Sequence, residues 1–157
     1  MDIEVQRVEA SRTYPLRQAV LRPHQSVEQM ALDGDDDPDS AHFAALCDGQ
    51  VVTTASVRPE APPWEPDHPL SWRLRGMATT GEHRNQGIGG RVLGAVVKHV
   101  QQGGGGLLWC NARLPALPFY RRAGFVARGE AWVDPTIGPH IAMEMAVPAY
   151  DAATVTE

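Results

Sequence analysis

The residues best suited by type and spacing to do chemistry are Arg84-Asn85-Gln86-Gly87-Ile88-Gly89-Gly90, set between an apolar run, Leu74–Thr79, and a periodic segment, Arg91–Gln102. The stretch reads as the end of a strand, a glycine-rich turn and the start of a helix. A helix N-terminus leaves backbone N–H groups without intrahelical partners and carries about half a positive charge. Such a turn is therefore an anion site suited to phosphate. Gly87, Gly89 and Gly90 lack Cβ atoms, so the backbone can take unusual dihedrals and a ligand can come close. Spacing excludes two common phosphate loops. The dinucleotide fingerprint needs a glycine where Val92 stands, and a Walker loop needs Lys-Ser/Thr after Gly90, where the chain has Arg91-Val92.

What remains is Arg/Gln-x-x-Gly-x-Gly, met by Arg84, Gly87 and Gly89. A second block follows: Leu107-Leu108-Trp109-Cys110-Asn111-Ala112, then Phe119-Tyr120-Arg121-Arg122-Ala123-Gly124-Phe125. In this order and at this separation, over Leu70–Val126, the two blocks resemble the GNAT family of acyl-CoA-dependent N-acyltransferases. The resemblance implies an α/β fold whose mixed, mostly antiparallel sheet has about seven strands flanked by helices. It implies a V-shaped splay between parallel strands four and five. It also implies acetyl-CoA, or CoA, as co-substrate without a metal, and acetyl transfer to a primary amine in a ternary complex. A weaker likeness, carried by Leu16–Gln25, the acidic turn after it, His42 and Gly138-Pro139-His140, is to the bacterial ElaA-like and YjcF-like subgroup, which supplies no substrate.

By the same resemblance the splay lies between Met77–Thr79 and Cys110–Ala112, and the pantetheine arm pairs like an added strand with the backbone of Met77 and Thr79. The implied CoA site is Met77, Ala78, Thr79, Arg84, Asn85, Gln86, Gly87, Ile88, Gly89, Gly90, Asn111, Phe119 and Arg122. Arg84 either steadies a pyrophosphate or caps the turn. Asn111, polar at the end of an apolar strand, either reaches the pantetheine or caps the next turn. Tyr120 is the expected acid: a phenol of pKa about 10 can hydrogen-bond or protonate a departing thiolate in a partly dry site. The competing role for Tyr120 is packing.

The base is harder to find. An alkyl ammonium must lose a proton before its nitrogen attacks, and many family members carry a glutamate on strand four for this purpose. Here that stretch is Trp72-Arg73-Leu74-Arg75-Gly76, and arginine does not deprotonate in proteins. His140 is the expected substitute, with a pKa near neutrality, and His42 and Glu130 are alternatives. Arg73 and Arg75 alternate onto one strand face. They either anchor a substrate carboxylate or balance the acidic loop. His24, Gln25 and the Trp64 loop are candidates for the acceptor wall. The missing glutamate also keeps open an acyl-CoA-binding module without turnover.

The elements that must position these groups follow from pattern. Asp2–Val8 reads as a strand, and Tyr14–Leu21 as a short helix capped by Ser11 or Thr13 and stopped by Pro23. Gln25–Ala31 adds a turn or two. Asp33-Gly34-Asp35-Asp36-Asp37-Pro38-Asp39 looks like a calcium loop, but Pro38 stands at the required glycine and Ala44 at the required glutamate, so it reads as a solvated turn. His42–Cys47 and Gln50–Val57 flank Asp48-Gly49, a strong hairpin signal. Prolines around Trp64 make residues 59–69 a loop. Ser71–Thr79 is a strand, and a helix from Ile88 places Val92, Ala95, Val96 and Val100 on one face and ends at Gly103–Gly106. Leu107–Asn111, Pro115–Arg122, Phe125–Val133 and Ile141–Val147 complete the order as strand, helix, strand, strand.

A chain of 157 residues suits one domain, here 1–157. Its start carries no basic, apolar-cored signal, and no apolar run reaches the roughly 20 residues a spanning helix needs. The expectation is a cytoplasmic protein without membrane partners. A net charge of −5 argues against a broad nucleic-acid surface. Cys47 and Cys110 sit in apolar runs without metal spacing and read as reduced core residues. A homodimer remains open.

Overall fold

The structure, a computed structural model, describes residues 2–150. Its strands form one seven-stranded mixed sheet in the order β1-β2-β3-β4-β5-β7-β6. β1 (Ile3–Val8), β2 (Ala41–Cys47), β3 (Gln50–Pro59) and β4 (Ser71–Thr79) run antiparallel in succession. The β2–β3 hairpin turns on Asp48 and Gly49, both at positive φ, 50° and 85°, which matches the twist of a two-residue turn. α2 (Ile88–Gln102) then crosses to β5 (Gly106–Arg113), which is parallel to β4. α3 (Leu117–Ala123) leads into β6 (Val126–Asp134) and β7 (Gly138–Val147), with β7 inserted between β5 and β6.

The helical spacing read from Ile88 onward buries Ile88, Val92, Leu93, Val96 and Val100 against the sheet. Trp72 and Leu74 of β4, Leu108, Cys110 and Ala112 of β5, and Met143 and Val147 of β7 meet them in one core. Gly103 stops the helix, its N–H donating to the carbonyls of His99 and Val100. Because strand side chains alternate, Arg73 and Arg75 of β4, Trp109, Asn111 and Arg113 of β5, and His140 of β7 belong to the opposite face. There the segment after β1 and the loop carrying Trp64 cover the sheet: Arg113 donates to the Leu21 carbonyl at 2.6 Å and Trp64 meets Trp109 edge-on.

Two sequence expectations need correction on that face. Tyr14–Leu21 is not one capped helix but two short pieces, α1 (Tyr14–Leu16) and a π turn at Arg17–Leu21, preceded by a 3-10 turn at Ala10–Thr13. Neither Ser11 nor Thr13 caps it. The Thr13 hydroxyl turns back to the Ala10 carbonyl at 2.7 Å, and Arg22 N–H is shared between the carbonyls of Arg17 and Gln18. The acidic turn is not simply solvated either. Asp35 is 4 % exposed and holds Arg17, itself 2 % exposed, at 2.7 Å, because a buried carboxylate needs a paired cation. Cys47 and Cys110 are free thiols in buried positions, as their apolar runs imply. Among the described residues no helix is long and apolar enough to cross a membrane.

Candidate active site

The site begins where β4 and β5 part. Their ladder holds only three pairs, Ser71↔Leu107, Trp72↔Leu108 and Arg73↔Trp109. Beyond Arg73 the β5-facing edge of β4 has no strand partner, which is the splay expected between Met77–Thr79 and Cys110–Ala112. A register slip in β3–β4, between Thr54 and Ser56, marks a bulge beside the gap. Gly76 occupies it at φ +64°, with the Thr54 hydroxyl donating to its carbonyl at 3.0 Å. A bulge re-aims the side chains that follow it. Met77 consequently reaches the α2 side, where its methyl lies 3.5 Å from the place a Gly89 Cβ would occupy.

The glycine turn follows. Asn85 and Gly87 both have positive φ, 64° and 79°, and Gly87 is the N-cap of α2 without any side-chain cap. The first intrahelical bond runs from Arg91 N–H to the Gly87 carbonyl, so the N–H groups of Ile88, Gly89 and Gly90 have no partner inside the helix. Arg84 donates from Nε to the Thr79 carbonyl at 3.3 Å, and Gln86 bonds the Glu82 carbonyl. Arg84 thus braces the turn while its exposed guanidinium keeps other donors for an anion.

A groove of about 450 Å³ starts at Gly87 and Gly90 and runs along α2 past Gly94 and Lys98 to Gln101, walled by Phe119 and Arg122 of α3. Lys98 is absent from the expected site. Its signal was available, since Gly90, Gly94 and Lys98 recur every fourth residue and so share one helix face. A larger cleft of about 580 Å³ lies near the β1 edge, by Arg7, Tyr14 and Asp36.

Tyr120 is the buried residue of α3, 7 % exposed, edge-on to Phe119 and Phe125. Burial, with Cys110 alongside, holds its phenol well above the usual range, so it stays protonated at neutral pH. Among the described residues its hydroxyl has no hydrogen-bond partner. Burial also pushes the Cys110 thiol up to about 12, which leaves that sulfur inert. Asn111 is exposed between buried Cys110 and Ala112, as a residue facing an opening must be.

His140 is 5 % exposed and stacked on Trp132 with ring centroids 5.7 Å apart. Its Nδ1 lies 2.8 Å from the Gly138 carbonyl. A carbonyl only accepts, so Nδ1 carries a proton, and Nε2 is the ring nitrogen left to accept one. The alternatives to His140 differ. Both nitrogens of His42 are engaged, with Ser56 Oγ at 2.6 Å and the Asp35 carbonyl at 2.9 Å. Glu130 is exposed on the edge strand β6, and His24 is exposed on its loop.

Arg73 and Arg75 are both engaged within the chain. Arg73 meets Glu60 at 3.1 Å and lies over the Trp109 ring, and Arg75 donates to the Asp33 carbonyl and approaches Asp35 at 3.6 Å. Unanticipated partners complete this wall. Trp109 Nε1 donates to the Glu60 carbonyl at 2.8 Å, and Arg128 lies over Trp64.

A profile of the acetyltransferase (GNAT) family matches residues 8–125, which includes the parting strands, the glycine turn and Tyr120. The chain belongs to the GNAT family. The N-acetyltransferase YitI of Bacillus subtilis (strain 168), itself uncharacterised, is 34% identical over 141 residues, 90% of this chain and 94% of YitI. Escherichia coli ElaA shares the fold with a TM-score of 0.67 at 20% identity, over 91% of this chain and 99% of ElaA. An aminoglycoside 6′-N-acetyltransferase in complex with coenzyme A superposes with a TM-score of 0.71 at 14% identity, over 94% of this chain and 99% of that one. The protein is thus a GNAT enzyme of the N-acetyltransferase class, on a seven-stranded mixed sheet with a parallel β4–β5 pair.

Proposed function

We propose that this GNAT protein, with residues 1–157 as one acyltransferase domain, moves an acetyl group from acetyl-CoA to a primary amine by direct transfer in a ternary complex. The observation that carries the reading is the β4–β5 ladder ending at Arg73 and Trp109, on a strand that leads into a turn whose N–H groups have no partner inside the helix. The turn Arg84–Gly90 holds the pyrophosphate through those N–H groups and the helix dipole. The unpaired edge at Met77, Ala78 and Thr79, with Asn111 across the gap, receives the pantetheine, and Phe119 and Arg122 line the groove beyond. The amine nitrogen attacks the thioester carbon, a C–N bond forms and the C–S bond breaks. His140 Nε2 takes the proton the ammonium must lose, directly or through water. Tyr120 hydrogen-bonds and protonates the departing thiolate.

The test has two arms. CoA or acetyl-CoA at about 100 times its dissociation constant adds roughly 2.7 kcal/mol, an increase of about 5–10 °C in Tm for a chain of this size. Thiol release from acetyl-CoA across a panel of amines then reads turnover. Protection by ATP or NAD but not by CoA overturns the reading, and protection by CoA without release for any amine reduces it to a binding module. For His140, the rate at limiting acceptor should rise with pH through an apparent pKa. His140→Ala should flatten that limb; an unchanged limb places the base elsewhere.

A further inference from the structure

The N-terminal segment closes a ring over the gap on the face away from α2. Arg113 at the end of β5 donates to the Leu21 carbonyl, Arg17 in the same segment pairs with Asp35 at 2.7 Å, and Asp35 lies 3.6 Å from Arg75 of β4. Asn111 and Gly76 line the opening between the two strands, and His140 pairs in register with Arg113 at its far end. Two guanidiniums, Arg17 and Arg75, therefore share one carboxylate, Asp35, and a third, Arg113, has only the Leu21 carbonyl. Among the described residues no carboxylate lies within ion-pair distance of Arg113. Asp134 is farther off and is occupied by the N–H groups of Thr136 and Ile137.

Positive charge gathered in this way is unusual in a chain of net charge −5. It is also costly. Burial, and after it the neighbouring guanidiniums Arg73 and Arg22 respectively, lower the proton affinity of Arg75 and Arg113. In addition, Arg17 Nε is a buried donor without a partner, and it lies 2.9 Å from the place a Gly76 Cβ would occupy, at the lip of the gap. Buried donors without partners are rare and call for an acceptor. A purely cationic acceptor such as a polyamine meets like charge here, whereas a carboxylate accepts bidentate bonds from such groups.

We infer that the acceptor is a small amine bearing a carboxylate, of amino-acid type, and that Arg75 and Arg113, on the two lips of the gap, hold that carboxylate while its amine faces His140. The inference rests on the acetyltransferase reading above and adds the class of acceptor. It moves the carboxylate contact from the Arg73–Arg75 pair to Arg75 and Arg113, because Arg73 is matched by Glu60 and packs on Trp109, whereas Arg75 shares Asp35 with Arg17 and Arg113 has no carboxylate among the described residues.

Matched acceptors that differ only in the carboxylate test it: tyrosine against tyramine, histidine against histamine, arginine against agmatine. Thiol release should favour the carboxylate member by roughly 10-fold or more in kcat/KM, as expected when a site's donors go unpaired with the lesser ligand. Arg113→Ala and Arg75→Ala should each shrink that ratio, mainly through KM, with Arg→Lys recovering part of it and CoA protection unchanged. Calorimetric titration of the CoA-bound protein with N-acetyltyrosine and N-acetyltyramine reads recognition without turnover, so it decides the inference even if no acceptor releases thiol. Should Arg75→Ala fold poorly, Arg113→Gln and the wild-type ligand pairs decide. Equal or better use of the decarboxylated partner, binding of neither acetylated ligand, a ratio unmoved by the variants, or preference for phosphoethanolamine over both overturns the inference.

Discussion

At the scale of single residues, Tyr120 and His140 are prepared for opposite tasks by burial and by one hydrogen bond. Tyr120 is kept protonated by a dry environment, and among the described residues no group competes for its hydroxyl. His140 is fixed in the tautomer that exposes Nε2 by the Gly138 carbonyl on its other nitrogen. Tyr120→Phe should therefore lower kcat by about 100-fold while changing folding stability by less than about 1 kcal/mol, since no intramolecular hydrogen bond is lost. Steady-state thiol release and urea unfolding measure the two effects, and equal turnover would assign Tyr120 to packing. Both residues were legible as chemistry-bearing types in a recognisable context. What the sequence could not reveal was occupancy: His42 and His140 look alike as letters, yet only one keeps a free nitrogen, because the partners of His42, Ser56 and the Asp35 carbonyl, come from elements 14 and 7 residues away.

At the scale of elements, the strand–turn–helix unit is local and was readable for that reason. The limits of β4 at Ser71 and Thr79, the hairpin at Asp48-Gly49 and the buried face of α2 all follow from alternation, turn chemistry and helical spacing. The segment after β1 was less legible, since its shape answers to Arg17 reaching Asp35 across 18 residues rather than to its own helix propensity. The glycines of the turn also have different tasks. A Cβ on Gly89 would come within 3.2 Å of Phe119 and 3.5 Å of Met77, so substitution there disturbs packing as well as any ligand. Gly90 has nothing within 4 Å and opens on the groove. Gly90→Val should leave Tm of the free protein the same or higher, valine being the better helix former, while abolishing most of the CoA-induced rise. Thermal shifts with and without CoA distinguish this from Gly89→Val, which should lower both. An undiminished CoA shift in Gly90→Val would remove the turn from the cofactor site.

At the scale of the whole molecule, the segment between β1 and β2 is braced internally by the buried Arg17–Asp35 pair and the Arg17 bond to the Met30 carbonyl, and the same two side chains tie it to the sheet, Arg17 donating to Ser56 and Asp35 approaching Arg75 at 3.6 Å. Burial by itself would raise the Asp35 carboxyl, but the Arg17 hydrogen bond and the Leu32 amide outweigh it and hold the group below the ordinary carboxylate value. A carboxylate depressed in the folded state stabilises the fold fully above its unfolded pKa, near 3.9, and that contribution disappears as pH falls through the lower folded value. Asp35→Asn should thus cost about 3 kcal/mol at pH 7, because it strands a buried guanidinium, and the variant should lose less further stability than wild type between pH 5 and pH 2. Pairing Asp35→Leu with Arg17→Met should recover much of the loss, since an apolar pair of similar size removes both desolvation costs. Urea midpoints across that pH range read all three proteins. If Asp35→Asn matches wild type at neutral pH, the segment is held by its backbone and apolar contacts instead, and the roof over the gap does not depend on this ion pair.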